Sequence, residues 1–376
     1  MRNLQHIKNI IIKIGSSSLC NDKGDIDSEC FLGFIQQIAQ LRKEGYQVTL
    51  VSSGAIRTGM KAMKLKKKPK TMPENQALAA IGQATLMRMY EEMLSLFHIQ
   101  CAQILLNQDD FDNRKRLMNL TNALQALFSY GVLPIINEND TLAVDEIKVG
   151  DNDSIASLLV PTVNADLVIL VSDIDGLYDK NPHQYKDAKL IHEVQQITPD
   201  IESMASDAIS GIGTGGMVTK LKAAKACNEY GCDLGIVNGN QENAIVDFVS
   251  GKEIGTYFNG QQGRKLNARQ HWILYRSRAK GTLVVDEGCK QALLKHKSLL
   301  PSGIIDVHGK FEMSNVVSIK DEKGKEIARG IVYYSSNEIE QIQGHNTNEI
   351  ETILGYKDYD VVIHANNMVL KKEKTK

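Results

Sequence analysis

Five short runs rich in β-branched residues recur in the first half of the chain, and helix-like segments separate them. The runs lie at 10–15, 48–53, 102–106, 132–137 and 167–172, and the intervening segments lie at 28–44, 75–97, 114–130 and 153–164. Each run is apolar at both alternating positions, which is typical of strands buried on both faces. The pattern predicts an α/β fold with a mainly parallel sheet covered by helices on both sides. Gly45 and Gly131 follow two of the helical segments, where a glycine commonly ends a helix.

The pattern changes after about residue 260, which favours a second domain in a chain of 376 residues. We predict a catalytic domain at 1–260, a basic linker at 261–280 and a small, mainly β domain at 281–365. The four residues 321–324 (DEKG) are typical of a hairpin turn. Residues 366–376 are expected to form a disordered tail.

Composition excludes several classes of protein. The net charge is -1, so bulk electrostatics favours neither nucleic acid nor membrane as a partner. The first apolar run is short and Lys13 interrupts it, which is unlike a secretory signal. The six cysteines show no zinc-binding spacing, and scattered thiols suit a reducing, cytoplasmic location. The lysine-rich stretch 61–70 is interpreted as a solvated surface segment; attraction of an anionic substrate and, less favoured, a targeting signal are the alternatives.

Polar motifs follow four of the predicted strands. They are KIGSSS at 13–18, SSGA at 52–55, NEND at 137–140 with EIKVGDND at 146–153, and SDIDGLY at 172–178. Ligands of such sheets bind beyond the carboxyl ends of the strands. Four polar strand ends together predict a binding site at one edge of the sheet.

A fifth motif, GIGTGGMVTK at 211–220, predicts an anion site. Gly211, Gly213 and Gly216 have the spacing of a dinucleotide fingerprint, but that fingerprint needs an apolar strand before it and the preceding run is polar. A P-loop needs Gly-Lys-Ser/Thr in succession, which the motif lacks. Glycines nevertheless let backbone amides approach a phosphate, and a helix start adds partial positive charge. Lys220 lies in the first turn, where lysine is unfavourable unless an anion is bound. A flexible linker with a solvated lysine is the alternative interpretation.

These residue types point to phosphoryl transfer. Lys13 and Lys220 together can neutralise charge on a transferred phosphoryl group. The carboxylates of Asp151 and Asp153 can orient lysines or hold Mg²⁺, and one residue of 151–153 can also cap the following helix. Neither G-x-S-x-G nor H-E-x-x-H occurs, so an activated-serine hydrolase or a zinc protease is unsupported. The absence of histidine from the motifs favours a carboxylate acceptor, which is already ionised at neutral pH because its pKa is near ~4.

Taken in order, the motifs KIGSSSL, VSSGAI, LPIINENDT, EIKVGDND, VSDIDGLY and SGIGTGGMVTK resemble those of the amino-acid kinase family. The β-rich tail is similar to a PUA domain. The resemblance implies an open αβα sandwich with a mainly parallel sheet of about eight strands. It also implies ATP- and Mg²⁺-dependent phosphorylation of the side-chain carboxylate of L-glutamate, which opens proline biosynthesis. Further expectations are feedback inhibition by proline, transfer of the product to a glutamyl-phosphate reductase, and a homo-oligomer.

The resemblance also implies roles for individual residues. Lys13 and Lys220 would stabilise the transferred phosphoryl group, and Asp153 would orient both lysines. Glutamate would be held by Ser53, Asp140 and Asn152. The nucleotide would be contacted by Ser172, Asp173 and the segment Thr214, Gly215, Gly216, Met217, Val218, Thr219 and Lys220. Asp110 and Lys148 match positions linked to proline inhibition.

Two alternatives remain open at this point. One is another activity of the same family, acetylglutamate or UMP kinase. The other is an RNA-binding PUA protein with an inactive kinase fold, which the retention of Lys13, Asp153 and Lys220 disfavours. RNA binding is not expected, because acidic residues are interspersed in the tail and Ser314-Asn315 stands where a glycine turn is usual.

Overall fold

The structure, a computed structural model, describes residue 2 and residues 4–19, 27–142, 152–182, 184–206, 216–260, 273–274 and 277–371, without the side chains at 108 and 114. The chain divides into two units, Met1–Lys265 and Leu266–Lys376. None of the helices in the described ranges is both long enough and apolar enough to cross a bilayer.

The first unit is built on one eight-stranded sheet. Its strands are β1 (Asn9–Ile14), β2 (Gln47–Val51), β3 (Cys101–Leu106), β4 (Leu133–Glu138), β5 (Leu167–Ser172), β6 (Glu193–Val194), β7 (Asp233–Asn238) and β8 (Thr256–Phe258). Their order across the sheet is β3-β4-β2-β1-β5-β7-β8-β6. Every pair is parallel except the antiparallel pair of β7 with β8. The predicted mainly parallel sheet is therefore confirmed.

Helices cover both faces of this sheet. They are α1 (Ser28–Lys43), α2 (Ala55–Ala62), α3 (Met72–Ser95), α4 (Gln108–Asp112), α5 (Arg114–Ser129), α6 (Asn152–Val163), α7 (Pro199–Ser206), α8 (Met217–Tyr230) and α9 (Ala244–Val249). Ile10, Ile12 and Ile14 of β1 share one core with α1 and α3. Because side chains alternate along a strand, Lys13 faces the opposite side, where α6 packs against β1. The side chain of Lys13 can therefore contact α6.

The five predicted strands and four predicted helices all exist, with ends shifted by at most three residues. Gly45 and Gly131 follow α1 and α5 with φ of 93° and 71°, the left-handed conformation that suits a glycine at a helix end. Both helix-end predictions are confirmed.

The second unit is mainly β and has its own core. Its strands are β9 (Thr282–Val285), β10 (Ile304–His308), β11 (Val316–Asp321), β12 (Glu326–Ile331) and β13 (Met368–Leu370), and its helices are α10 (Glu287–Leu294), α11 (Ser336–Ile342) and α12 (Ile350–Leu354). The strand order is β10-β9-β11-β12-β13. The predicted turn joins β11 to β12, where the Gly324 amide donates to the Asp321 carbonyl at 2.8 Å.

One expectation for this unit is wrong in part. A disordered tail was predicted from residue 366, yet β13 pairs antiparallel with β12 and so extends the sheet. Met368 and Val369 are buried, because their apolar side chains belong to the core of this unit. The hydrophobic run MVL at 368–370 carried this signal, and the charged residues after it obscured it. Most of the predicted basic linker, and residues 372–376, lie outside the described residues.

Candidate active site

The first strand places a lysine at the carboxyl end of the sheet. Lys13 is the next-to-last residue of β1 and is 5% exposed. An ammonium group buried this deeply is costly without a counter-ion, because burial removes its hydration. Its partner must come from α6, the helix packed on that face of β1.

Asp153 is that counter-ion, and it serves two lysines. It lies in the first turn of α6 and is fully buried. Its Oδ1 lies 2.7 Å from Nζ of Lys13, and its Oδ2 lies 2.9 Å from Nζ of Lys220. Two amines that are far apart in the sequence therefore meet on one carboxylate. The side chain of Asp153 therefore contacts both lysines, as the interpretation of this residue as an orienting carboxylate requires.

Lys220 reaches the cluster from the first turn of α8, where it is 3% exposed. The helix begins after Gly216, whose carbonyl accepts a hydrogen bond from Thr219 Oγ1 at 2.8 Å. A helix start carries unpaired amides and partial positive charge. The lysine adds charge of the same sign, so this end of α8 favours an anion.

The predicted nucleotide residues lie at two places, the end of β5 and the start of α8. Ser172 is the buried last residue of β5, and its hydroxyl donates to the carboxylate of exposed Asp173 at 3.1 Å. The remaining predicted positions belong to the glycine motif. Met217 is buried, Val218 and Thr219 are half-buried, and Thr214 and Gly215 lie outside the described residues.

The acceptor side of the site is organised by Asn152, the residue before Asp153. Its Nδ2 lies 2.6 Å from the Ser52 carbonyl, 2.8 Å from Ser53 Oγ and 3.0 Å from Asn137 Oδ1. Its Oδ1 is buried and has no hydrogen-bond partner within the described residues. An unpaired buried acceptor is unfavourable, so this oxygen is available to a donor on a ligand.

Asp140 lies just beyond β4, near the same strand end. Burial raises the pKa of its carboxyl group, and the positive charge of Lys68 acts in the opposite direction. The lysine-rich segment therefore contributes electrostatically to a predicted substrate residue. The sequence interpretation favoured a solvated surface segment and kept attraction of an anionic substrate as an alternative, but it did not connect this segment with Asp140.

Asp110, linked by resemblance to inhibition, has a local structural role in α4. Its Oδ2 accepts from the Asn107 amide at 2.7 Å and its Oδ1 pairs with Arg116 at 3.1 Å. Lys148, predicted beside it, lies outside the described residues. The structure thus places only one member of this pair, within a helix cap.

Two site residues were not assigned a role by sequence reasoning. Asn137 belongs to the NEND motif, and its Nδ2 donates to Oε1 of Gln83 at 2.8 Å, with both side chains buried. Gln83 lies in the middle of α3, where a polar residue normally indicates the solvated face. No sequence signal distinguishes it from an exposed helix residue.

The types and contacts of the described side chains bear on metal binding at this site. No group of three or more His, Cys, Asp or Glu side chains that can hold a metal occurs in the part of the chain that the structure describes. Both oxygens of Asp153 already contact ammonium groups.

Comparison with known proteins gives a consistent result. The profile of the amino acid kinase family matches residues 8–238, and that of the PUA domain matches residues 281–354. The chain is 46% identical to the glutamate 5-kinase of Caldanaerobacter subterraneus subsp. tengcongensis, over 96% of this chain and 97% of the relative. It is 45% identical to the glutamate 5-kinase of Geobacter sulfurreducens, over 98% of each chain. With the sheet and the cluster described above, these matches show that the chain belongs to the amino acid kinase family, in the group of glutamate 5-kinases that carry a C-terminal PUA domain.

Proposed function

We propose that the protein transfers the γ-phosphoryl group of ATP to the side-chain carboxylate of L-glutamate, giving L-glutamyl 5-phosphate, the first step of proline biosynthesis. The observation that carries this proposal is the single carboxylate of Asp153 between the amines of Lys13 and Lys220. The names of the relatives, which match over nearly the whole chain, support glutamate as the acceptor.

The two lysines act on the transferred group. Negative charge lies on both reactants, because the acceptor carboxylate and the terminal phosphate are each anionic. Lys13 and Lys220 offset this repulsion and stabilise the charge of the phosphoryl group in transit. Asp153 fixes both amines, so that they are in place before the reactants bind.

The acceptor is held by groups around the start of α6. Ser53 and Asn152 contribute a hydroxyl group and the unpaired Oδ1 oxygen, which can accept a hydrogen bond from the substrate ammonium. Asp140 contributes a carboxylate of opposite charge to that ammonium. The side-chain carboxylate of glutamate would then point toward Lys13 and Lys220.

ATP is placed by the ends of β5 and α8. Ser172 and Asp173 contact the nucleoside side, and the segment 214–220 holds the phosphates at the start of α8. Mg²⁺ would arrive with the nucleotide, since Mg²⁺ is usually held by substrate phosphates and waters with one or two carboxylates. It would supply further neutralisation of charge on the phosphates.

A hydroxylamine trapping assay tests this function. Acyl phosphates react with hydroxylamine to give a hydroxamate, so product forms only if a carboxylate has been phosphorylated. We expect ATP-dependent hydroxamate from L-glutamate, and none above background from aspartate or N-acetylglutamate. ADP release with UMP in place of glutamate would instead favour the UMP kinase alternative. Absence of hydroxamate from glutamate would refute the proposal.

The proposal extends to regulation and partners. Proline would act as feedback inhibitor near the acceptor site, with Asp110 and Lys148 among the residues that respond to it. The labile product would pass to a glutamyl-phosphate reductase in the cytoplasm, and the kinase would act as a homo-oligomer. The PUA domain would be structural or regulatory rather than RNA-binding. Inhibition by proline in the same hydroxamate assay tests the regulation, and light scattering in solution tests the oligomeric state.

A further inference from the structure

Helix α3 directs two buried polar side chains toward the site end of the sheet. Gln83 Oε1 accepts a hydrogen bond from Asn137 Nδ2 at 2.8 Å, and Tyr90 Oη lies 2.9 Å from Ser52 Oγ. Gln83 is 9% exposed and Tyr90 is 1% exposed. The two residues are seven positions apart and therefore lie on one face of the helix.

The contact of Gln83 continues into the acceptor site. Asn137 donates an amide hydrogen to Gln83, and its Oδ1 is turned toward Asn152, from which it accepts at 3.0 Å. The same Oδ1 accepts from the backbone amide of Glu138 at 3.0 Å, so Gln83 and this amide favour the same orientation of Asn137. The Asn152 nitrogen has only two hydrogens, and three acceptors lie within hydrogen-bond distance of it. The nitrogen is therefore held on the protein side, and Oδ1 remains as the unpaired buried acceptor.

The backbone around Gln83 is fixed by an unusually close helix contact. A Cβ atom at neighbouring Gly82 would lie 1.8 Å from the carbonyl oxygen of Ala55, the first residue of α2. Ala55 is two residues after Ser53, which also contacts Asn152. Only glycine allows α3 to approach this closely, so Gln83 has a fixed position relative to the acceptor site.

We propose that Gln83 is a positioning residue for the acceptor substrate. It fixes the orientation of the Asn137 amide, which in turn fixes Asn152, so that Asn152 Oδ1 faces the ammonium group of the bound amino acid. Without the Gln83 acceptor, the Asn137 nitrogen loses its described partner and only donors to Oδ1 still orient the side chain, so the amide can turn more readily and present its own NH₂ group to that of Asn152. This inference rests on the proposed function, since it assumes an amino-acid acceptor.

Steady-state kinetics of matched variants test the inference. Gln83→Met keeps the length of the side chain but removes the acceptor atom. We expect a rise in the KM for glutamate of about tenfold, the scale of one lost buried hydrogen bond, with kcat and the KM for ATP within about twofold of the original. Gln83→Glu restores an acceptor for Asn137 and should return the glutamate KM toward its original value. Tyr90→Phe removes the parallel contact from α3 and should leave the glutamate KM unchanged.

The same substitution made in an Asn137→Asp variant covers the case in which Gln83→Met alone does not fold. Asn137→Asp removes the donor that would be left unpaired, and either carboxylate oxygen can then accept from Asn152. In that background, Gln83→Met should no longer raise the glutamate KM. A further rise there, or an unchanged glutamate KM for folded Gln83→Met alone, would overturn the inference. Failure of the proposed function is distinguishable, because the unsubstituted protein would then form no hydroxamate from glutamate.

Discussion

Replacing Asp153 with asparagine tests the central cluster most directly. The substitution keeps the size of the side chain but removes the charge that compensates two ammonium groups. Lys13 and Lys220 are 7% and 4% exposed at their side chains, and Asp153 is fully buried. At amine–oxygen distances of 2.7 and 2.9 Å, each gross attraction is about 6 kcal/mol at an effective dielectric constant of about 20.

Desolvation offsets much of that attraction, so the net cost of breaking such a cluster is smaller. Removing one partner of a buried ion pair typically costs about 3–5 kcal/mol, because a buried charge is left without compensation. We expect Asp153→Asn to lower the free energy of unfolding by this amount. For a unit of this size, the thermal midpoint would fall by roughly 10 °C. Turnover should fall at least about 100-fold, as for other lost electrostatic groups in active sites.

A matched control is available on the surface of the same unit. Asp247 contacts Lys252 at 2.7 Å, but their side chains are 23% and 57% exposed. Asp247→Asn makes the same chemical change in a solvated pair, so its effect should stay within about 1 kcal/mol.

Adding ATP gives a second measurement on the same variants. The triphosphate can replace the missing negative charge, so ATP should raise the thermal midpoint of Asp153→Asn more than that of the unsubstituted protein. The reasoning is refuted if Asp153→Asn unfolds like Asp247→Asn and retains its turnover. Differential scanning fluorimetry with and without ATP measures the thermal midpoint and its shift, and the hydroxamate assay measures turnover.

Three further predictions concern other parts of the chain. Because burial raises the pKa of Asp140, its charge is lost at a higher pH than that of an ordinary aspartate. The KM for glutamate should therefore rise as pH falls below neutrality, while the KM for ATP changes less; an equal profile in Asp140→Asn would contradict this. Gly82→Ala should lower stability by about 3 kcal/mol or more in chemical unfolding, because the new Cβ would overlap the Ala55 carbonyl, whereas Gly33→Ala in α1 meets nothing within 4 Å and should be neutral or stabilising. A chain that ends at residue 280 should keep measurable hydroxamate formation, since every predicted catalytic residue lies before that point and the two units have separate cores; a folded but inactive truncation would show that the PUA domain shapes the site.

The strands that could be predicted from sequence are those with long apolar runs, such as β5, which is buried throughout. Strand β7 was missed because Gly235 interrupts its run. A Cβ there would lie 2.4 Å from the ring of Phe248, so the glycine reflects close packing and not a turn. Strands β6 and β8 are too short, at two and three residues, to give a period. Helix α2 was missed for a related reason, since Gly59 within it serves close contact with α3.

The candidate site was predictable to a similar degree. Strand ends and helix starts carry motifs, so Lys13, Asp153 and Lys220 could be named from their sequence context. Gln83 could not be named, because its proposed role depends on a contact with Asn137 that exists only in the folded chain. The electrostatic effect of Lys68 on Asp140 likewise depends on the tertiary structure. The two residues are 72 positions apart and share no motif, so nothing in the sequence connects them.

The charge of the central cluster also bears on which acceptors it can serve. Two ammonium groups and one carboxylate leave one net positive charge at the point where two anionic reactants must meet. A hydroxyl acceptor would need a base to remove its proton, and among the described residues the carboxylate that contacts both lysines is that of Asp153. Both of its oxygens are held by ammonium groups at 2.7 and 2.9 Å, which stabilises the ionised form and opposes proton uptake. The cluster therefore favours an acceptor that is ionised before it binds, and a carboxylate meets that requirement.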